Sequence, residues 1–223
     1  MADQFVCDTR EVREFIRTVK EVIAAAPSVR ERLEALRPAF GALMADPDWL
    51  PAQFRRSCQA GGMGKGVASW LLYRDSAGTL SLSVLVLSPG AATPVHDHLA
   101  WGLVGLYAGE QDEEVYETSG AVAAGATHAE LKLASRNHLR PGSFYELIPP
   151  TGDIHRVITT GSEPSISLHL LGNDVGCVDR HRFDPASGSV SPFRSGYSNK
   201  ECDASTESRE NMALAANHDA PSS

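Results

Sequence analysis

Two histidines separated by a single residue form the part of the sequence best suited to chemistry. His96 and His98 flank Asp97 in the run Thr-Pro-Val-His-Asp-His-Leu-Ala-Trp-Gly. Residues two apart on a β-strand point to the same face, so both imidazoles project together and Asp97 points to the opposite face. The spacing therefore predicts two ligands of a metal site.

A third imidazole is available at His155, at the end of the run Pro-Pro-Thr-Gly-Asp-Ile-His. It completes the site if the fold brings a second strand beside the first. Three neutral imidazoles suit a first-row transition metal such as iron, zinc or nickel. The sequence thus predicts a centre with three histidine ligands.

Charge and composition favour a small-molecule partner. The 223 residues carry a formal net charge of −8, without a cluster of Lys and Arg, which argues against nucleic-acid and anionic-membrane surfaces. The N-terminus lacks a basic region followed by an apolar core, and no apolar run approaches the roughly 18 residues of a membrane span. We therefore expect a soluble protein of the cytoplasm.

The cysteines are scattered at Cys7, Cys58, Cys177 and Cys202, and none of them forms a CxxC pair. This spacing predicts neither a disulfide framework nor a zinc–thiolate site. We expect reduced thiols with structural roles.

The elements that must position the histidines begin with a helical segment. Apolar residues recur at intervals of three and four between Asp8 and Asp46, interrupted at Pro27. Ser28 and Glu31 then form the pattern of a capping box, which starts a second helix. The segment predicts two amphipathic helices packed on a sheet.

After residue 66 the pattern changes to short β-type runs separated by turn residues. The predicted strands are 67–73, 80–87, the strand holding His96, 102–107, 113–117, 129–134, 143–148, 157–160 and 165–171. Short strands at roughly ten-residue spacing, without helical patterns between them, indicate an antiparallel sandwich or barrel. The mouth of such a barrel is a common place for a metal or small ligand.

The two histidine runs resemble the two motifs of the cupins. The first motif is matched by Gly90, His96, His98 and Gly109. The second is matched by Pro, Gly and His within 150–155. Most cupins carry a glutamate four residues after the second histidine, where this chain has Gly102. The resemblance implies a mainly β fold, the cupin double-stranded β-helix or jelly-roll barrel, with the N-terminal α-helices packed on the outside.

Loss of that glutamate, together with the run 93–102, makes the chain similar to the thiol dioxygenases of the cysteine dioxygenase type I family. Within that family it most resembles the bacterial 3-mercaptopropionate dioxygenases, and the match continues through 165–173 and 193–199. The resemblance implies Fe(2+) held by His96, His98 and His155. A small thiol and O2 would bind the same iron, and both oxygen atoms would end on sulfur as a sulfinate. Iron(II) with three neutral ligands keeps its double positive charge, which favours an anionic thiolate.

Family members also carry a Ser-His-Tyr relay beside the iron, and the resemblance assigns its first two members to Ser167 and His169. The third position holds Leu171. Because leucine cannot donate a hydrogen bond, either Tyr107, Tyr145 or a water takes this role, or the pocket is reshaped.

The resemblance assigns Arg180 to the substrate carboxylate. It stands eleven residues after His169, where the mercaptopropionate group has its arginine, and a guanidinium is well formed for bidentate carboxylate binding. Cysteine dioxygenases use an arginine on an early strand, and 67–73 contains none. Leu103 stands where the animal enzymes have the cysteine of their Cys-Tyr crosslink. Both departures favour a 3-mercapto acid over cysteine.

The sequence therefore predicts a helical segment at 1–46, a cupin barrel with the metal site at 47–199 and a disordered tail at 200–223. The expected activity is oxidation of a small mercaptocarboxylate by a non-haem iron(II) thiol dioxygenase. Three alternatives stay open: a cysteine dioxygenase, another metal-dependent cupin enzyme with an altered substrate, or a non-catalytic cupin that binds a small acid.

Overall fold

A computed structural model of the chain describes residues 2–58, 62–120 and 122–202. The predicted tail therefore lies outside the described residues from 203 onward. The helices are α1 (Arg10–Ala25), α2 (Val29–Ala45) and a 3-10 turn at Ala52–Arg55. The strands are β1 (Gln4–Phe5), β2 (Val67–Arg74), β3 (Ser81–Leu87), β4 (Val95–His96), β5 (Gly102–Ala108), β6 (Gln111–Glu117), β7 (Lys132–Leu139), β8 (Phe144–Leu147), β9 (Ile154–Thr159), β10 (Ser165–Leu171), β11 (Arg180–Phe183) and β12 (Val190–Phe193).

The two predicted helices are confirmed, including the capping box that starts α2. Ser28 Oγ accepts a hydrogen bond from the Glu31 amide at 3.3 Å, and Glu31 Oε2 accepts one from the Ser28 amide at 3.1 Å. These two bonds satisfy amide groups that the first helical turn leaves without partners. The cap therefore fixes where α2 begins.

The strands form two antiparallel sheets. The first sheet has the order β1-β2-β3-β10-β5-β8, and the second has the order β12-β11-β4-β9-β6-β7. Chain neighbours are often not sheet neighbours, so the chain crosses repeatedly between the sheets, as in a jelly roll. The predicted fold class, a mainly β jelly roll with the N-terminal helices on the outside, is confirmed.

The helices cover the outer face of the first sheet. On β10, Ile166, Leu168 and Leu170 join the apolar core that the helices share. Because side chains alternate along a strand, Ser167 and His169 point into the space between the sheets. The helices thus bury one face of β10 and leave its other face for the site.

The strand boundaries differ from the prediction mainly at the edges of the second sheet. The run predicted at 129–134 is instead β7 at Lys132–Leu139, an exposed edge strand whose pairing comes from β6. β11 was not predicted, because Arg-His-Arg-Phe has no alternation of polar and apolar residues; its pairing with β4 and β12 orders it. Both faces of β7 are exposed along almost its whole length, so its sequence carries no apolar alternation that could predict its bounds.

The expectation that all cysteines are reduced is wrong for one pair. Cys177 and Cys202 form a disulfide with an S–S distance of 2.07 Å, whereas Cys7 is a buried free thiol. Spacing could not reveal the pair, because 25 residues separate the two cysteines in sequence. They meet because the chain after β12 folds back, with the Gly196 amide donating to the Gly176 carbonyl at 2.9 Å.

A search of the described helices for a membrane span finds none that is both long and apolar enough.

Candidate metal centre

Neighbouring strands of the second sheet bring the three predicted histidines together. His96 on β4 pairs directly with His155 on β9, and His98 lies two residues after His96, just past the end of β4. The ring centroids lie 5.1 Å apart for His96 and His98, 5.1 Å for His96 and His155, and 4.8 Å for His98 and His155. One nitrogen of each ring lies within 4.8 Å of the others, and all three side chains are buried.

Hydrogen bonds at Nδ1 orient each ring. The acceptors are the Pro94 carbonyl oxygen for His96 (2.9 Å), Asp153 Oδ1 for His98 (3.2 Å) and Glu113 Oε1 for His155 (2.8 Å). An acceptor at Nδ1 favours the tautomer with the proton on Nδ1 and leaves the lone pair on Nε2. This arrangement orients histidine ligands toward a metal.

The protonation state also fits a metal. Burial lowers the pKa of His96 and of His98 well below the ordinary histidine value, and the neighbouring imidazoles lower it further. Both rings are therefore neutral at pH 7, which is the form that ligates a metal. Three imidazole nitrogens in a buried cluster fit a divalent transition metal such as iron or zinc.

A cavity of about 40 Å³ adjoins the cluster, and we call it the metal pocket. This is space for roughly three water molecules, so a ligand that fills it is small. Its polar wall includes His96, His98, His169, Arg180, Ser195 and Tyr197. Its apolar wall includes Met63, Leu85, Leu171 and Val175.

Arg180 places a buried positive charge in the pocket wall. Its side chain is buried, Nη1 donates to the Asp97 carbonyl oxygen and Nη2 donates to Ser195 Oγ at 2.9 Å. Burial lowers the pKa of Arg180 to about 10, so the guanidinium is charged at pH 7. Its Nε has no hydrogen-bond partner among the described residues. A buried cation with an unused donor favours an anionic ligand.

Asp97 does not neutralise that charge by direct contact. Its carboxylate accepts hydrogen bonds from the His181 amide at 2.8 Å and pairs with His181 Nδ1 at 2.7 Å. Asp97 thus faces away from the metal-type histidines, as its strand position predicts.

Ser167 and His169 stand across the pocket on β10 of the first sheet. Ser167 Oγ lies 2.9 Å from His169 Nε2, and the His169 ring centroid lies 6.4 Å from that of His98. Burial lowers the pKa of His169 to about 3, with nearby His155 and Arg180 adding to the shift. The pair is therefore a neutral hydrogen-bonded unit beside the three histidines. Leu171 lies two residues after His169 and so points to the same face of β10.

Tyr107 and Tyr145 were the two candidates to replace the missing hydroxyl. The observed hydrogen bonds of both hydroxyls go to groups other than Ser167 and His169. Tyr107 donates to the Asp46 carbonyl at 3.0 Å and so belongs to the contact between the barrel and the helical segment. Tyr145 has its hydroxyl 3.3 Å from His155 Nδ1, on the side of that ring opposite to Nε2.

Tyr197 lines the metal pocket, and the sequence did not predict this position for it. Its hydroxyl donates to Asp174 Oδ1 at 2.7 Å and accepts from the Gly176 amide at 3.1 Å. The ring packs so closely that a Cβ on Gly176 would lie 2.3 Å from it. The signal in the sequence was the run Ser-Gly-Tyr-Ser-Asn at 195–199, which the family resemblance had already included.

Tyr197 belongs to a segment, Arg194–Cys202, that we call the strap. The Ser198 amide donates to the Ser69 carbonyl at 2.6 Å, and the Asn199 side chain both donates to and accepts from the backbone of Leu71 at 3.0 Å. The disulfide to Cys177 fixes the end of the strap. The strap therefore closes one side of the metal pocket.

A second cavity of about 230 Å³ lies on the other side of the strap. Residues that line both cavities are Met63, Ser69, Ser195 and Tyr197. The strap and Met63 thus form a shared wall between the larger cavity and the metal pocket.

No family model matches the chain. Similar solved structures include an oxalate oxidase in complex with glycolate (18% identity over 49% of this chain and 52% of that chain, TM-score 0.37). An oxalate decarboxylase formate complex from Lactobacillus farciminis shows 21% identity over 49% of this chain and 29% of that chain, TM-score 0.37. A Cupin 2 conserved barrel domain protein from Salinispora arenicola shows 14% identity over 56% and 87%, TM-score 0.38. The match thus spans about half of the oxalate oxidase chain. At these levels the similarity says nothing about activity.

Proposed function

We propose that the protein is a non-haem iron(II) thiol dioxygenase that oxidises a small mercaptocarboxylate, such as 3-mercaptopropionate, to its sulfinate. The observation that carries the proposal is the position of Arg180. A buried guanidinium with an unused Nε donor lines the same small pocket as His96 and His98. A ligand that fills this pocket meets both a buried cation and the histidines of the metal centre.

His96, His98 and His155 are the residues that would hold the metal. When bound, iron(II) supplies positions for a soft thiolate and for O2. The overall change balances without a further reductant, since one thiolate and one O2 give one sulfinate. This balance separates the proposal from oxygenases that need a co-substrate.

Arg180 would bind the carboxylate and thereby fix the distance from the carboxylate end to the thiolate end. Its two Nη atoms are already held by the Asp97 carbonyl and Ser195, so the guanidinium is positioned before the ligand arrives. A group held in advance loses little conformational freedom on binding.

Ser167 and His169 would position the ligand from the opposite wall. The hydrogen bond to Ser167 fixes the neutral His169 ring at the pocket surface, where it can donate to or accept from a bound group. Leu171 beside it is apolar and excludes water from that part of the wall.

The composition of the pocket favours a thiol without an amino group. The described residues that line it include Arg180 but no Asp or Glu side chain that could pair with an ammonium. A zwitterion such as cysteine would leave its ammonium without a charged partner, which is costly in a buried site. This supports a 3-mercapto acid over cysteine.

The test is oxygen consumption by the iron(II)-loaded protein with 3-mercaptopropionate, cysteine, mercaptosuccinate and cysteamine, with the product identified by mass. We expect one O2 per sulfinate with 3-mercaptopropionate, without added reductant or 2-oxoglutarate. We expect no uptake with cysteamine, which has no carboxylate. A requirement for a co-substrate would contradict the proposal.

A second candidate rests on Leu171, which removes the hydroxyl of the family relay. In that case the same centre serves another metal-dependent reaction of a small acid, or binds the acid without turnover. Full activity with zinc and none with iron would favour the first form, and tight binding of 3-mercaptopropionate without O2 uptake would favour the second.

A further inference from the structure

A buried carboxylate contacts the Nδ1 atom of one of the three histidines of the candidate metal centre. Glu113 on β6 is 3% exposed, and its Oε1 lies 2.8 Å from His155 Nδ1. Its Oε2 accepts a hydrogen bond from Asn137 Nδ2 at 3.0 Å, and the Tyr145 hydroxyl also bonds to Glu113. Three donors converge on one carboxyl group, which is the environment of an ionised carboxylate that only accepts.

The other two histidines have weaker partners. His96 faces a neutral backbone carbonyl, that of Pro94. His98 faces Asp153, but that carboxylate also accepts from the backbone amides of His98 and Leu99, both at 3.0 Å. Asp153 and Glu113 therefore each accept from three donors, but the contact of Asp153 with the His98 ring is longer, at 3.2 Å, than the 2.8 Å contact of Glu113 with the His155 ring.

The three rings are therefore not equivalent as ligands. A short hydrogen bond from Nδ1–H to a carboxylate moves electron density into the imidazole and makes Nε2 a stronger donor. The effect is large here because the pair is buried, so water screens it little. Three neutral ligands alone would leave the full double charge on the metal, and Glu113 offsets part of it from behind a ligand.

We infer that Glu113 is a positioning residue that makes His155 the strongest donor of the three and stabilises the more oxidised state of the bound metal. This rests on the metal centre of the proposed function but not on its thiol substrate. Asn137 supports the role, because it holds the second carboxylate oxygen in place at 3.0 Å. The Tyr145 hydroxyl bonds to Glu113 and lies 3.3 Å from His155 Nδ1, so it belongs to the same hydrogen-bonded group.

The neighbouring residue Glu114 provides a matched control. It lies on the opposite face of β6, where it bonds to Tyr116 at 2.8 Å, Arg156 at 2.6 Å and Arg136 at 3.1 Å. Glu113→Gln and Glu114→Gln are therefore the same chemical change at adjacent positions, of which one contacts a metal-type histidine.

The experiment measures the affinity of each variant for iron(II) and cobalt(II) by anaerobic competition with a chelator. We expect Glu113→Gln to bind metal about 10- to 100-fold more weakly than the unsubstituted protein. Glu114→Gln should stay within about twofold, because its partners are outside the centre. A Glu113→Gln affinity equal to that of Glu114→Gln would overturn the inference.

Two further measurements separate ligand strength from a loss of folding. Tyr145→Phe keeps the carboxylate and removes one of its donors, so we expect metal binding to weaken by less than in Glu113→Gln. The reduction potential of the bound iron should move to more positive values in Glu113→Gln and stay unchanged in Glu114→Gln. An unchanged potential in a folded, iron-loaded Glu113→Gln protein would overturn the inference.

The outcomes also distinguish this inference from the proposed function. If the unsubstituted protein binds iron(II) and Glu113→Gln weakens it, the inference holds whether or not a thiol is oxidised. If the unsubstituted protein does not bind iron(II) or cobalt(II), both the inference and the proposed function are wrong.

Discussion

At the level of single residues, the site depends on two side chains, Arg180 and His169, whose pKa values are lowered by burial. Arg180 keeps its charge in a wall where its Nε has no described partner, and His169 stays neutral because a buried imidazolium is costly. Arg180 therefore supplies the positive charge of this wall, and the neutral His169 adds none to it. Two predictions follow from these two side chains.

Arg180→Lys keeps a positive charge but removes the planar fork that two carboxylate oxygens can share. We expect KM for 3-mercaptopropionate to rise about tenfold, which corresponds to about 1.4 kcal/mol, with a smaller change in kcat. Steady-state O2 uptake measures both constants. Arg182→Lys, at an exposed position of the same strand, is the control and should leave KM unchanged. Equal effects of the two substitutions would contradict the assignment.

His169 should make the metal-free protein less stable as the pH falls. In the unfolded chain this histidine gains a proton below about pH 6.5, whereas in the folded protein its pKa is about 3. The unfolded state binds more protons between these values, so the free energy of unfolding decreases as the pH falls through this window. At pH 5 the contribution of one such group is about 2 kcal/mol.

Urea unfolding of the metal-free protein at pH 7 and pH 5 tests this point. His169→Gln removes the titrating group, so its loss of stability between the two pH values should be smaller by about 2 kcal/mol. The other buried histidines contribute equally to both proteins and cancel in the difference. Identical pH dependence of the two proteins would show that His169 is not held neutral.

Among the structural elements, the strap connects the Arg180 side of the metal pocket to the disulfide. Ser195 holds Arg180, Tyr197 forms pocket wall, and Cys202 anchors the end of the segment to Cys177. A change at the disulfide should therefore reach the pocket through the strap.

Cys202→Ser should lower the free energy of unfolding by up to about 3 kcal/mol, because the unfolded chain loses a crosslink. It should also raise KM more than it lowers kcat, since Ser195 positions Arg180 but does not hold the metal. Amide hydrogen exchange of the strap should become faster. A phosphine reductant, which has no thiol, should reproduce these changes in the unsubstituted protein and cause no further change in Cys202→Ser. Unchanged exchange after reduction would contradict this role of the disulfide.

Some features of these elements are fixed by neighbouring residues, and others depend on pairing between distant parts of the chain. The capping box of Ser28 and Glu31 and the pairing of His96 with His98 are set within a few residues, so the sequence predicts them correctly. Glu113 was missed because it stands in the acidic run Gln-Asp-Glu-Glu-Val-Tyr-Glu, and only the register of β6 shows which glutamate faces inward. The disulfide was missed because its cysteines meet through the strap.

At the scale of the whole molecule, the centre is assembled from both sheets. The second sheet supplies His96, His155 and Arg180, the first sheet supplies His169, and the strap closes the side. The helices complete the core on the far side of the first sheet and leave the interior face of β10 to the site. The chain as a whole carries a net charge of −8, whereas the wall of this pocket holds a buried positive charge at Arg180.

Metal should stabilise the folded molecule as a whole, because the three histidines converge in the folded state and are dispersed in the unfolded chain. At a free iron(II) concentration 100 times the Kd, the stabilisation is about 2.7 kcal/mol. Calorimetry under anaerobic conditions, with and without iron(II), measures the shift in Tm. Substitution of His155 by Gln should abolish most of the shift. A shift that survives this substitution would place the metal elsewhere.

The central claim, that this centre adds both atoms of O2 to a thiol, is tested most directly by the origin of the product's oxygen. The iron(II)-loaded protein would be given 3-mercaptopropionate under O2 enriched in the heavy oxygen isotope, and the sulfinate would be analysed by mass. We predict that both sulfinate oxygens carry the heavy isotope. A sulfinate with one heavy oxygen or none, or the absence of any sulfinate from a fully iron-loaded protein, would contradict it.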